Sequence, residues 1–147
     1  MIYDAKLMAS KLGRWEKYMD SYQLPTWEEL PDLELYMDQL ISQVRRYLSL
    51  FPEDEQNPVI TPSIINNYVR LRMMPAPERK RYSRKHMACV IMICVLKQSL
   101  SLAEIQRILP QEMSEENVHQ VYNDFARQMG TTSGLFIGQV DEISQQV

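Results

Sequence analysis

The chain has 147 residues, 45% apolar and 24% charged, which is enough to bury a core without staples and too apolar for a disordered segment. Four glycines against ten methionines, with many Leu, Glu, Gln, Lys and Arg, favour helix over strand. The net charge of −3 is unevenly spread: residues 70–85 hold seven cations and one acid, a local +6 that leaves −9 for the rest. A basic patch on an otherwise acidic protein is the pattern expected of focused phosphate binding.

A first helix is expected from Asp4 to Ser21, where Met8, Leu12, Trp15, Met19 and Tyr22 form one stripe. Leu24-Pro25 breaks it, and Thr26 with Glu29 makes a capping-box pattern over a short turn. A longer helix is expected from Leu33 to Phe51, on Leu33, Met37, Leu40, Val44, Tyr47 and Phe51. Pro52 to Pro58 reads as an acidic loop, in which Glu53, Asp54 and Glu55 act as a solvated linker or steer a ligand. Thr61-Pro62 then supplies an N-cap with proline at the first helical position, starting a helix to Leu71. Ser83 caps a helix from Arg84 to Gln98 whose middle is apolar on nearly every face and should lie at the centre. Ser101 and Glu104 form a capping box over Leu102 to Leu109, closed by Pro110. Ser114 caps a helix to Met129 with Val118, Tyr122, Phe125 and Met129 on one side and Gly130 as C-cap. The tail, with Gly134 and Gly138, is less clearly helical.

Cys89 and Cys94 share the run Met87–Leu96 and sit badly for pairing on one helix, so they read as buried free thiols, which suits a reducing cytoplasm. That run has ten residues, too few to span a bilayer, and the N-terminus lacks the order of a secretory signal. A cytoplasmic protein is expected. His86 and Cys89 stand three apart, but two ligands do not make a metal site, and no metal is expected. No glycine-rich phosphate loop, HExxH, GxSxG or CxxC occurs, so neither an enzyme nor a cofactor is expected.

The informative segment runs from Ile60 to Leu109. In the helix after Thr61, Ile64, Ile65, Tyr68 and Leu71 can turn inward, while Ser63, Asn66, Asn67 and Arg70 share an outward face. Ser, Asn and Arg suit base edges and phosphate oxygens in a major groove, and no acid occurs between Thr61 and Ala76. Pro75-Ala76-Pro77 then stiffens the entry to a basic loop carrying Arg79, Lys80, Arg81 and Tyr82, with Arg72 before it and Arg84 and Lys85 after it. The cations would lie along a phosphate backbone, and Tyr82 would pin the loop to the core or add a hydroxyl contact.

At these residues the chain resembles the DNA-binding domain of MerR-type regulators. Aligned without gaps from Ile60, Asn66 and Asn67 fall on that family's Arg-Tyr positions and Tyr68 on its second tyrosine. Met73-Met74 fall on its hydrophobic pair, Lys80-Arg81-Tyr82 on its wing motif, and LSLAEIQRIL resembles its final helix. Arg72 stands where that family carries glycine, and Asn67 where it carries a tyrosine. Over a longer stretch, Tyr22 to Leu109, the chain is similar to the bacterial group called domain of unknown function 1836, on YQLPTWEELPDLELYMDQL, TPSIINNYV and the wing.

The resemblance implies an all-α protein with a MerR-like winged helix-turn-helix core at residues 58–110. Residues 1–57 would pack on that core as a helical region, and residues 111–147 would add a helix and tail that serve as a dimerisation element. It implies a transcriptional regulator of double-stranded DNA, with Ser63, Asn66, Asn67, Tyr68, Arg70, Arg72, Arg79, Lys80, Arg81, Tyr82, Arg84 and Lys85 as contact residues. A homodimer is expected because one short reading helix gives little specificity. The alternative is a helical protein-interaction module using the same fold without DNA. Any small-molecule effector is left open.

Overall fold

The computed structural model describes residues 4, 6–8, 24–49, 51 and 58–131. Five α-helices are found there: α1 (Met37–Tyr47), α2 (Pro62–Arg70), α3 (Arg84–Leu96), α4 (Leu102–Ile108) and α5 (Glu115–Ala126). Among the described residues there is no strand beyond two isolated antiparallel bridges, Leu35 with Tyr82 and Glu78 with Arg81. The protein is all-α, as its composition indicates. None of its described helices is long and apolar enough to cross a membrane.

The local start signals operate as written in the chain. Thr26 and Glu29 close their box, with Glu29 Oε1 accepting from the Thr26 N–H at 3.0 Å and Thr26 Oγ1 from the Glu29 N–H at 3.2 Å. The Thr61 hydroxyl accepts from the Ile64 N–H at 3.1 Å, Ser101 from Glu104 at 3.2 Å, and Ser114 from Asn117 at 3.1 Å. Each contact satisfies a donor that the first helical turn leaves without an internal partner.

Helix α3 is the axis of the fold. Every residue from His86 to Leu96 is buried, and α1 and α5 pack against it. Burial on all sides explains why this helix shows no polar face. Both cysteines lie inside it as thiols rather than as a disulfide, and burial pushes the Cys89 thiol up to about 12, so it stays protonated and apolar. Cys94 Sγ lies 3.6 Å from the Val59 carbonyl oxygen. One contiguous core collects Trp27 and Leu30, Leu40 and Val44, Ile65 and Met73, Ile105 and Ile108, and Tyr122 and Phe125. Segment 24–30 closes over α5: the Tyr122 hydroxyl donates to the Pro25 carbonyl at 2.7 Å, and Trp27 stacks on His119 at 4.5 Å.

Three expectations need correction. The helix expected from Leu33 begins only at Met37, because Leu35 exchanges two 2.8 Å backbone hydrogen bonds with Tyr82 and is held extended. Leu33 is 64% exposed and Tyr36 52% exposed, so neither extends the buried stripe. The helix also ends at Tyr47, although Leu48 and Phe51 remain in the core. At the other end Gly130 does not cap α5; the chain widens into a π turn over Arg127–Thr131. The expected first helix lies mostly outside the described residues, with one turn at residues 6–8 and Met8 buried; the acidic loop of residues 52–57 and the tail lie outside as well.

Candidate nucleic-acid interface

Helix α2 owes its two faces to its spacing. Ile65 and Tyr68 are buried, with Ile64 and Val69 packed against the core, while Ser63, Asn66 and Arg70 are exposed and Asn67 is half-buried. Arg70 donates from Nη2 to Asn67 Oδ1, so these two side chains are linked along the outer face. No acidic residue sits in the helix's first turn.

The helix ends on a left-handed residue. Arg72 has φ 59°, its N–H bonds to the Val69 carbonyl at 3.0 Å, and the next N–H, from Met73, bonds to Tyr68 at 2.9 Å. That pair of bonds is a Schellman cap, in which glycine is the ordinary left-handed residue. Arg72 therefore keeps the turn that glycine would favour and adds an exposed cation to it. Met73 and Tyr68, both buried, supply the apolar contact such caps carry. From α4, Gln106 Nε2 donates to the Leu71 carbonyl at 3.2 Å, tying down the same corner.

The basic loop is a tight two-residue hairpin. Glu78 and Arg81 pair through backbone bonds of 2.9 and 3.1 Å, and between them Arg79 and Lys80 have φ of 53° and 64°. Two successive left-handed residues define a type I′ turn, which Asn-Gly sequences favour. Two long cationic side chains stand here instead, both exposed. The hairpin is joined to the segment before α1 by the Leu35–Tyr82 bridge. Its tip reaches a shallow groove of about 730 Å³ that Lys80 shares with Pro62 at the start of α2 and with Tyr36, Met37, Ile41 and Arg45. The tip and the first residue of α2 thus line one groove, which Asp38 also lines.

At the hairpin's base, His86 fixes the entry to α3. Its Nδ1 accepts from the Ser83 N–H at 2.9 Å, so the ring proton belongs on Nε2, which donates to the Ala76 carbonyl at 3.0 Å. Burial holds this imidazole below its ordinary pKa, opposed by the hydrogen bond to Ala76. Both ring nitrogens are used inside the protein, in the stiff Pro75–Pro77 entry and the helix cap.

Not all the expected contact residues share the surface. Tyr68 is 1% exposed, with burial raising its hydroxyl's pKa and the Cys94 thiol beside it adding to the shift; it packs inward and is no groove contact. Tyr82 is likewise buried and pins the hairpin. Arg84 lies over the Trp27 ring at 5.6 Å and 3.9 Å from Asp32, its side chain mostly covered. Lys85 lines a depression with Asp32, Glu34, Glu78 and Glu115. Arg81 is exposed but engaged: its Nη1 lies 3.0 Å from Glu34 Oε2 and its guanidinium 5.6 Å from the Tyr36 ring centre. The hydrogen bond to Glu34, then that to Tyr36, holds its pKa above the usual arginine range.

The basic window is thus less basic in space than in sequence, because Asp32 and Glu34 are brought to it from before α1. Among the described residues, no carboxylate lies within ion-pair distance of Arg70, Arg72, Arg79 or Lys80. Residue reading missed Glu34 and Tyr36 at this site. Their only signal is the period of two around buried Leu35, which the helical stripe from Leu33 masks.

No curated protein and no solved structure matches the chain. The sequence pattern described as domain of unknown function (DUF1836) matches residues 25–125, reaching beyond the hairpin and α4 into α5. That stretch spans about two thirds of the 147 residues, including every element described here from Pro25 to Phe125, and the chain belongs to the DUF1836 family.

Proposed function

We propose that the protein is a DNA-binding transcriptional regulator with a MerR-like winged helix-turn-helix arrangement, α2 entering the major groove and the 78–81 hairpin lying on phosphates. The single observation that carries this reading is the groove that brings Lys80 of the hairpin tip to Pro62 at the start of α2. A carboxylate-free helix face of Ser63, Asn66, Asn67 and Arg70 runs between cations at both of its ends, Lys80 near Pro62 and Arg72 at the cap. Nine residues at 1.5 Å each make α2 about 13 Å long, comparable with the width of a B-DNA major groove. Asparagine can bond adenine twice and arginine guanine twice, while the left-handed cations suit the sugar-phosphate rails.

A homodimer on paired half-sites belongs to this proposal, since one helix reads few base pairs. The apolar side of α5 is spent on the core through Val118, Val121, Tyr122 and Phe125, so α5 does not offer that stripe to a second copy. The proposed setting is cytoplasmic, where two cysteines persist as thiols.

The test is the affinity of the intact chain for a labelled random duplex across a salt series. Three phosphate contacts, from Arg72, Arg79 and Lys80, give a log–log slope of about −2.7. Affinity without salt dependence, or none at all, rejects the reading. The groove floored by Met37 and Ile41 beside exposed Tyr36 would then favour a protein-interaction module.

A further inference from the structure

The hairpin does not stand free. Residues 34–36, just before α1, lie beside it, with Leu35 in an isolated antiparallel bridge to Tyr82, and three contacts join the two. Leu35 and Tyr82 exchange backbone hydrogen bonds of 2.8 and 2.8 Å. The Arg81 guanidinium reaches Glu34 at 3.0 Å. The same guanidinium lies over the Tyr36 ring at 5.6 Å. Glu34, Leu35 and Tyr36 are consecutive, so the outward pair grips the Arg81 side chain while the inward residue grips the neighbouring backbone at Tyr82.

This arrangement divides the hairpin's three cations. Arg79 and Lys80 sit at the turn and have no carboxylate partner among the described residues. Arg81 follows the turn, pairs through its backbone with Glu78, and spends its guanidinium on Glu34 and Tyr36. An arginine held by a carboxylate and an aromatic face at once loses the freedom a phosphate contact would need, and it fixes the plane of the two-residue turn that precedes it.

We infer that Arg81 is a positioning residue: Glu34 and Tyr36 hold it, and through it they aim Arg79 and Lys80 at the phosphate backbone. The assignment rests on the proposed DNA-binding reading for what the tip touches, but not for how the tip is held. It turns a residue that charge alone would count as a contact into part of the scaffold. It also gives the acidic Glu34, which by charge should repel a nucleic acid, a favourable part in binding one.

Opposite signs separate this from direct contact. If Glu34 merely competes with phosphate for Arg81, then Glu34→Gln frees a cation, tightens duplex binding and steepens the salt slope by about 0.9. If it positions the hairpin, Glu34→Gln weakens binding by up to about fivefold, the range of an exposed ion pair, with the slope unchanged. Arg81→Ala should do the same, and the double variant should be no weaker than either single one. The experiment uses the full chain and a random-sequence labelled duplex, with Arg79→Ala as the reference that loses about 0.9 of slope.

A second measurement works without nucleic acid. Amide hydrogen exchange at Leu35 and Tyr82 should accelerate in Glu34→Gln and in Arg81→Ala, because the bridge between them loses its side-chain brace. Tighter binding in Glu34→Gln, a slope lowered by Arg81→Ala, or unchanged exchange at both amides would overturn the inference. A wild-type chain that ignores the duplex while the exchange rates still rise would instead reject the DNA-binding reading and leave the positioning of the hairpin standing.

Discussion

The hairpin tip offers a perturbation in which stability and binding should move in opposite directions. Arg79 and Lys80 both occupy the left-handed region, at φ 53° and 64°. A side chain bearing a Cβ costs about 1–2 kcal/mol there, and only glycine, or to a lesser degree asparagine, escapes most of that cost. The double substitution Arg79→Asn with Lys80→Gly installs the favoured type I′ pair. Relief at the two positions is offset by the extra freedom glycine gives the unfolded chain, about 0.4–1 kcal/mol, leaving a net gain of about 1 kcal/mol. For a chain of this size that raises the melting temperature by about 3 °C. The same change removes two cations from the surface beside α2, so the salt slope of duplex binding should fall by about 1.8. Calorimetry and a fluorescence titration on one preparation read both effects. A lower melting temperature would mean that the turn is not strained as described. A higher one with an undiminished slope would mean that the tip does not touch phosphate.

Other substitutions separate specificity, packing and protonation. Asn66→Ala removes an exposed side chain from the outer face of α2, and it should cost about 1–3 kcal/mol of preference for the natural operator over random duplex while leaving random binding unchanged; equal losses on both would make the face non-specific. Ile91→Ala opens a hole in fully buried α3 and should cost about 2–5 kcal/mol in urea unfolding; a shift under 1 kcal/mol would remove α3 from the centre of the core. His86 has its pKa lowered by burial, so the unfolded chain takes up its proton first and stability falls as pH drops through about 6.5 toward the lower folded value. His86→Gln keeps an acceptor for the Ser83 N–H at the capping-box position, and it should flatten the stability profile between about pH 7 and 5.5; an unchanged profile would assign that slope to other groups.

Helix starts were legible because their causes are local. Thr61-Pro62, Ser101 with Glu104, and Ser114 each carry the cap within three residues, and the structure finds each bond. The uniform apolarity of Met87–Leu96 likewise announces burial on every side. What the chain hides is long-range pairing. Leu33 fits a helical stripe with Met37 and Leu40, and only the hydrogen bonds to Tyr82, 47 residues away, hold Leu35 extended. The same distance hides the ion pair of Glu34 with Arg81, so counting cations in a window overstated the basic patch. Tyr68 illustrates a third kind of failure: periodicity turned it inward while the family likeness made it a contact, and its burial decides for the core. The left-handed turn at Arg72 was hidden because glycine, its usual marker, is absent.

The central claim, that α2 and the hairpin tip form one duplex-binding surface, is tested most directly by amide chemical-shift mapping of the intact chain during titration with a duplex. The account predicts that the largest shifts fall at Ser63, Asn66, Asn67, Arg70, Arg72, Arg79 and Lys80, with buried α3 and the outer side of α5 nearly silent. Shifts centred on α5, or a spectrum that ignores the duplex at low salt, would contradict it.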